Sequence, residues 1–442
     1  MKKYLVLIFL ISFYSFSQDK EELTLEKAIE YGITNSHEIA IVKNDASIIK
    51  NNNHLGAAGM LPNISISSGY NTSLSGLSDF KFNPLYGNSF DMPDDQLDKK
   101  VKEETITNSI GLTYRLFNGF NGIYTLRKFK TQNSIADENI RLQIENKILE
   151  IINQYYDLLN KQNIYQTFQT TYNISSDRYN QALEKNKFGS ISKRELLNIE
   201  VILNEDKIKM DEALITMNSS KLNLALIMGI PESSFMIKQE FNFNSQLILE
   251  DLIAKTNSNN ASVVIAELNY EVAKNDLKIS KASYFPKVNF NTSYNYTNQK
   301  NQMSQLSEFT TNGFRGGLTL EIPIFSSNMR SKSIQNAKIN LDSKSHYLEN
   351  IQNTIKTTLL NTYYSYIDGL SALDLMRKNL DTAEKNYEMS KELYEMGQLS
   401  NLEYRDSQLQ LDQIRINYSV KLSTTKIQEY ILYQLSGQLK TN

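Results

Sequence analysis

The chain has 442 residues, 22% of them charged, with a formal net charge of −2 and a mean hydropathy of −0.43. So balanced a charge offers no basic surface for nucleic acid and no acidic solvating tail. Cysteine is absent, which excludes disulfides, thiolate metal sites and a lipid-modified N-terminal cysteine.

The first eighteen residues read MKKYLVLIFLISFYSFSQ. Two lysines, a short apolar run and small polar residues have the order of a secretory signal, with cleavage expected near Gln18. The apolar run is short for a membrane anchor, which needs about 20 residues. A first helical region is expected from about Leu25 to Met60, capped by Thr24 and ended by Pro62. The period then switches to two. Ile64, Ile66, Tyr70 and Leu74 alternate with Ser65, Ser67, Gly69 and Ser73. A second strand sets Ile106, Ile110, Leu112, Tyr114 and Leu116 against Thr107, Ser109, Thr113 and Arg115. Strands of about ten residues are the length that crosses a bilayer at a tilt. The loop between them, roughly 75–104, holds Asp91, Asp94, Asp95 and Asp98, which read as a solvated acidic outer loop rather than a cation site.

From about Tyr124 to Phe188 there is neither proline nor glycine, and a continuous helix of that length would run about 100 Å. Gly189, Ser190, Ile191 and Ser192 then form a turn, glycine closing one helix and serine opening the next. The following helix carries a heptad of Leu196, Leu203, Met210, Met217 and Leu224, with a second line at Ile199, Ala213 and Ile227. Asp206 and Ser220 interrupt that second line, so the seam reads as a coiled coil with polar breaks.

The second half repeats the first. At an offset of 208 residues Phe117 meets Phe325, Tyr155-Tyr156 meets Tyr363-Tyr364, Gly189 meets Gly397, Ser192 meets Ser400 and Gly229 meets Gly437. Ahead of the strands the offset is 224, aligning Ala58 with Ala282 and Pro62 with Pro286; the intervening loop absorbs the difference. The third and fourth strands centre on Val288–Tyr296 and Phe314–Ile324, with a loop at roughly 297–311. Gly397, Gln398, Leu399 and Ser400 form the second hairpin turn. One unit used twice decides the architecture: a signal peptide at 1–18, a first repeat at 19–230, a linker at 231–246 and a second repeat at 247–442. Four strands are too few to close a membrane barrel, and an open edge cannot face lipid. Three chains would supply twelve strands.

Chemistry is sparse. His37, His54 and His346 sit in no ligand spacing, and there is no phosphate-cradling loop or nucleophile elbow. No catalytic residue, cofactor or metal is expected, and an enzyme is not.

In order, the duplication, the Ala58–Pro62 and Ala282–Pro286 junctions, Leu116-Phe117-Asn118-Gly119, Ile322-Pro323-Ile324-Phe325 and the two turns resemble the TolC-like outer-membrane efflux family. One departure is Arg115, where that family commonly has proline, as at Pro323; it bears on how the strand exits. The resemblance implies a mainly α chain with a membrane β-barrel: a homotrimer with a 12-stranded barrel in the cell outer membrane, continued by an α-helical tunnel in the periplasm. It implies a passive duct for small molecules or secreted polypeptides, driven by an inner-membrane pump of the resistance-nodulation-division, ABC or similar type. Gly189–Ser192 and Gly397–Ser400 would be the tips that meet a periplasmic adaptor protein. Arg115, Lys287, Arg315 and Glu321 would face the lumen, their mixed signs implying modest ion selectivity. Glu384 and Glu388, with Glu392 and Glu395, would form an entrance ring of carboxylates; a salt-bridged helix exterior beside Lys385 and Lys391 is the other reading. Two other protein types share the helices: a structural coiled-coil envelope protein without transport activity, and a periplasmic adaptor. The four amphipathic strands argue against the first, and the pair of hairpins without compact β domains against the second.

Overall fold

The computed structural model describes residues 22–76, 100–231, 235–237, 241–301 and 307–439. The signal segment, the acidic residues Asp91, Asp94, Asp95 and Asp98, and part of the 231–246 linker lie outside these. The first half runs β1 (Glu22–Leu23), α1 (Leu25–Thr34), α2 (His37–Asn51), β2 (Asn63–Gly76), β3 (Lys100–Asn118), α3 (Asn121–Lys187) and α4 (Lys193–Met228). The second half runs β4 (Met236–Ile237), α5 (Leu249–Asn259), α6 (Ala261–Ala282), β5 (Lys287–Asn301), β6 (Glu308–Glu321), α7 (Met329–Glu395) and α8 (Asn401–Leu435). The duplication is seen directly: α3 and α7 both have 67 residues. Even the strand-to-helix turn is copied, with left-handed backbone at Gly119-Phe120 and again at Ser327-Asn328.

One compact unit takes in the chain up to Asn44, Glu138–Ile265 and Glu349–Asn442. Its core is a stripe of α3 at helical spacing: Ile148, Ile151, Ile152, Tyr155, Leu158 and Leu159, all buried. Burying each large side chain contributes about 1.5–3 kcal/mol. The first helical region, expected as continuous to Met60, is broken at Asn35-Ser36 and ends at Asn51. The break has a cause. Asn35 turns its amide to the Met228 carbonyl at 3.1 Å, and Ser36 caps the new helix through the Ile39 N–H. In the second half Asn260 performs both tasks, donating to the Leu435 carbonyl and accepting from the N–H groups of Ser262 and Val263.

The seam of α4 also differs from the heptad reading. Ile199, Asp206, Ala213 and Ser220 are its buried line, whereas Leu196, Leu203, Met210 and Met217 are only half-buried. The two polar positions are therefore part of the packing, not interruptions of it. Each is hydrogen-bonded: Ser220 donates to Asp157 and accepts from Gln154, and Asp206 meets Arg405 and Ser175. Polar groups are tolerated in an interior when paired in this way.

The other compact unit comprises Asp45–Asp137 and Ala266–Leu348. It holds a four-stranded antiparallel sheet in the order β2-β3-β5-β6. The strands outrun their sequence limits at the loop ends, β3 starting at Lys100 and β5 and β6 reaching Asn301 and Glu308. Polar cross-strand pairs continue the ladder there, among them Lys300 opposite Glu308. At Arg115 the absence of proline has a structural consequence. A bulge falls between Arg115 and Phe117, and β3 keeps pairing with β5 as far as Asn118 opposite Lys287. Pro323 at the equivalent place lies beyond the end of β6. A proline has no N–H to give a ladder, so the first copy continues where the second stops.

Candidate functional site: an amphipathic sheet and two hairpin tips

The register sorts the strand residues into two faces. Ile66, Ile110, Tyr294 and Phe314 stand in one row across all four strands, with Phe314 84% exposed and its ring 4.9 Å from that of Tyr294. Ile64, Leu318 and Leu320 extend this uncovered apolar face. An apolar patch of that extent marks a membrane or partner surface. On the opposite face the matching row is Ser65, Gly111, Ser293 and Arg315, flanked by Ser67, Ser109, Asn295, Asn63, Thr113 and Asn291. The sheet thus has one face suited to lipid and one suited to water, and two edges, β2 and β6, with no strand beside them among the described residues.

Arg115, Lys287, Arg315 and Glu321 all belong to the polar alternation. Lys287 and Glu321 stand opposite one another with their charged groups 3.9 Å apart. Arg115 reaches toward the Gly59 turn. Among the described residues Arg315 has no ion-pair or hydrogen-bond partner for its guanidinium.

The two tips lie in the other unit and are built alike. Gly189 and Gly397 adopt φ of 72° and 75°, the left-handed conformation glycine supplies at least strain. Ser190 N–H returns to the Lys185 carbonyl, and Gln398 N–H to that of Leu393. Ser192 accepts from the Glu195 N–H, and Ser400 from the Glu403 N–H, both at 3.2 Å. Phe188, Met396 and Leu402 beside these turns are well exposed. Of the proposed entrance carboxylates, Glu384 is ion-paired with Arg415 at 2.9 Å, and Glu388, Glu392 and Glu395 are exposed.

Sequence reasoning did not find a polar cluster that joins the hairpins. Arg405 on α8 forms a two-pronged pair with Asp206 on α4, and its Nη1 also donates to Gln408. Thr171 on α3 donates to Asp412 at 2.7 Å. Burial raises the Asp412 carboxyl above its ordinary value, against the opposing pull of Thr171, Arg415 and Arg405. Arg178 is buried with its guanidinium 4.9 Å from the Tyr404 ring, which stacks on Tyr394. The available signal was Asp206 itself: a carboxylate at a seam position requires a partner.

No helix among the described residues is long and apolar enough to cross a membrane. A sheet with one apolar and one polar face, in a chain of paired long helices, is the build of an outer-membrane channel subunit. Residues 252–438 match the family model described as outer membrane efflux protein. No curated protein sequence matches the chain. Solved structures of similar fold include the Campylobacter jejuni CmeC outer membrane channel (TM-score 0.78, 12% identity, 94% of this chain and 86% of that one). The outer membrane protein VceC of Vibrio cholerae (0.73, 12%, 94% and 97%) is another. A third is the open state of the Neisseria gonorrhoeae MtrE outer membrane channel (0.72, 13%, 95% and 90%). The chain resembles the TolC-like outer-membrane efflux proteins, in sequence through its second half and in fold nearly throughout.

Proposed function

We propose that this chain is the outer-membrane duct of a tripartite export system, passing small molecules or polypeptides moved by an inner-membrane pump through a periplasmic adaptor. The observation that carries the reading is the amphipathic four-stranded sheet with two unpaired edges. Lipid does not tolerate open edges, and the outward apolar row excludes a sheet meant for water on both sides. Three copies joined β6 to β2 make a closed barrel of twelve strands whose serine, threonine and asparagine face lines a water-filled lumen. The exposed glycine-serine tips and their apolar neighbours then contact the adaptor, and Glu388, exposed on α7, contributes to a carboxylate ring that narrows the entrance. Passage needs no catalysis by this chain; energy enters from the pump. The test is in-cell photo-crosslinking from position 398, with captured proteins identified by mass spectrometry. Capture of a periplasmic adaptor supports the duct. Capture of cell-wall components alone would instead favour a structural envelope protein.

A further inference from the structure

The charged residues on the polar face do not average out. Lys287 and Glu321 neutralise each other at 3.9 Å. The remaining carboxylate, Glu103, sits at the loop end, opposite Asn301 and accepting a hydrogen bond from Gln299. Arg315 stands in between, and Arg115, the other cation of this face, reaches toward the Gly59 turn at the helical end of β3. Along its own strand Glu321 is six residues away, roughly 20 Å at strand rise. Glu103 is eight residues along β3 from Gly111 in the Arg315 row, roughly 27 Å. Both distances exceed the screening length of about 8–10 Å.

The surroundings of Arg315 are stripped of cover. Its neighbours on the same face of β6 are Gly313 and Gly317, and a Cβ at either would meet nothing within 4 Å. Across the ladder stand Asn291, Ser293 and Asn295. The strand that closes on β6 in a multi-copy barrel is β2, and β2 reads NISISSGYNTSLSG, with no charged residue at all. No neighbouring copy can therefore bring a carboxylate to Arg315 from that strand.

We propose that Arg315, repeated once per copy, forms a cationic ring in the strand lumen that favours anionic solutes, those bearing carboxylate, sulfonate or phosphate groups. This rests on the duct reading and narrows it. A guanidinium keeps its charge at any physiological pH, and a low-dielectric wall focuses its field along the lumen. The lumen is then selective by sign, not neutral by compensation.

Because the chain contains no cysteine, Gly317→Cys in the full-length protein gives a single thiol one row from Arg315. Its labelling from the outer side by a sulfonate-bearing and a trimethylammonium-bearing thiosulfonate is measured, each rate divided by that for a free thiol. The anionic reagent should be favoured by about tenfold, within the range expected of focused fields. Arg315→Gln should remove the preference and Arg315→Lys should keep it, with the heat-resistant oligomer confirming assembly of each variant. An equal preference with and without the charge would overturn the ring while leaving the duct intact. A thiol that labels only after denaturation would show that this face borders no water, and would overturn the duct reading and the ring together.

Discussion

The two copies of the repeat keep one tyrosine in the same role and use the next one differently. Tyr155 donates to the Leu23 carbonyl at 3.1 Å, and its counterpart Tyr363 donates to that of Leu247 at 3.3 Å. Each fastens the segment entering the first helix of its own copy. The adjacent residues diverge. Tyr156 is buried and stacks on Phe241, whereas Tyr364 is 62% exposed, as is Leu375 further along the same helix. The duplication preserved what holds a copy together. It changed what each helix shows to its surroundings, and α7 keeps apolar surface for something outside the chain. In the trimer we propose, that something is a neighbouring copy.

The largest effect should come from the contact with no counterpart in the repeat. At the equivalent positions Arg405 is Leu197 and Asp206 is Ile414, so the buried pair exists once and ties the two hairpins to each other. Removing one partner of a buried pair strands the other charge, and Arg405→Leu should lower stability by about 3–5 kcal/mol. Restoring the apolar counterparts together, with Asp206→Ile and Arg405→Leu, should recover much of that loss. Denaturant unfolding of the four-member cycle measures the coupling. The half-buried Glu384–Arg415 pair, still open to solvent on both side chains, serves as the control, expected at about 0–1 kcal/mol.

Next come the divergent tyrosines. Tyr156→Ala opens a cavity in the core and should cost about 3–4 kcal/mol. Tyr364→Ala should leave unfolding of the separated chain nearly unchanged while reducing the heat-resistant oligomer on gels. Equal effects of the two substitutions on chain unfolding would break the distinction drawn between the copies.

A third contrast is Glu145, buried, against its exposed counterpart Asn353. Burial pushes the Glu145 carboxyl up to about 7, with Arg141 opposing and Glu138 assisting. In the unfolded chain the group ionises at its ordinary value of 4.5, so between pH 4.5 and 7 the native state binds the extra proton. Its contribution to stability is present below pH 4.5 and lost as pH rises through 7, about 3 kcal/mol in all. Thermal unfolding from pH 4.5 to 8 should show this slope, and Glu145→Gln should flatten it.

Much of this was legible in the residues. Proline-free stretches gave the long helices, period-two alternation gave the four strands, and the 208-residue offset gave the duplicated order. The failures share a cause, since polar residues carry no periodic signal of burial. Asp206 and Ser220 looked like defects in a heptad because their partners, Arg405 and Gln154, lie 199 and 66 residues away. Likewise the strand ends near Lys100 and Glu308 looked like loop, because ion pairs and hydrogen bonds, not apolar side chains, hold the register there. Asn35 broke a helix through a bond to Met228, 193 residues distant. Local pattern reports which face is apolar; it does not report which distant group satisfies a polar one.

The smallest predicted effect separates the two tips, which sequence makes look equivalent. Ser192 and Ser400 both accept from the N–H three residues on, but only Ser400 completes a capping box. There Glu403 returns a carboxylate to the Ser400 N–H at 3.0 Å and also accepts from the Ser400 hydroxyl. Those bonds hold the Glu403 carboxyl below its ordinary value. Ser192→Ala loses one capping bond and should cost about 0.5–1 kcal/mol. Ser400→Ala loses the cap and loosens the returning carboxylate, so about 1–2 kcal/mol is expected. Hydrogen exchange at the first turns of α4 and α8 reads this locally, where global unfolding would blur it. Faster exchange in α8 than in α4 after the matched substitutions would show that the second tip is held by its box. Equal acceleration would mean that glycine and the helix ends set both turns, and that the box adds nothing the first tip lacks.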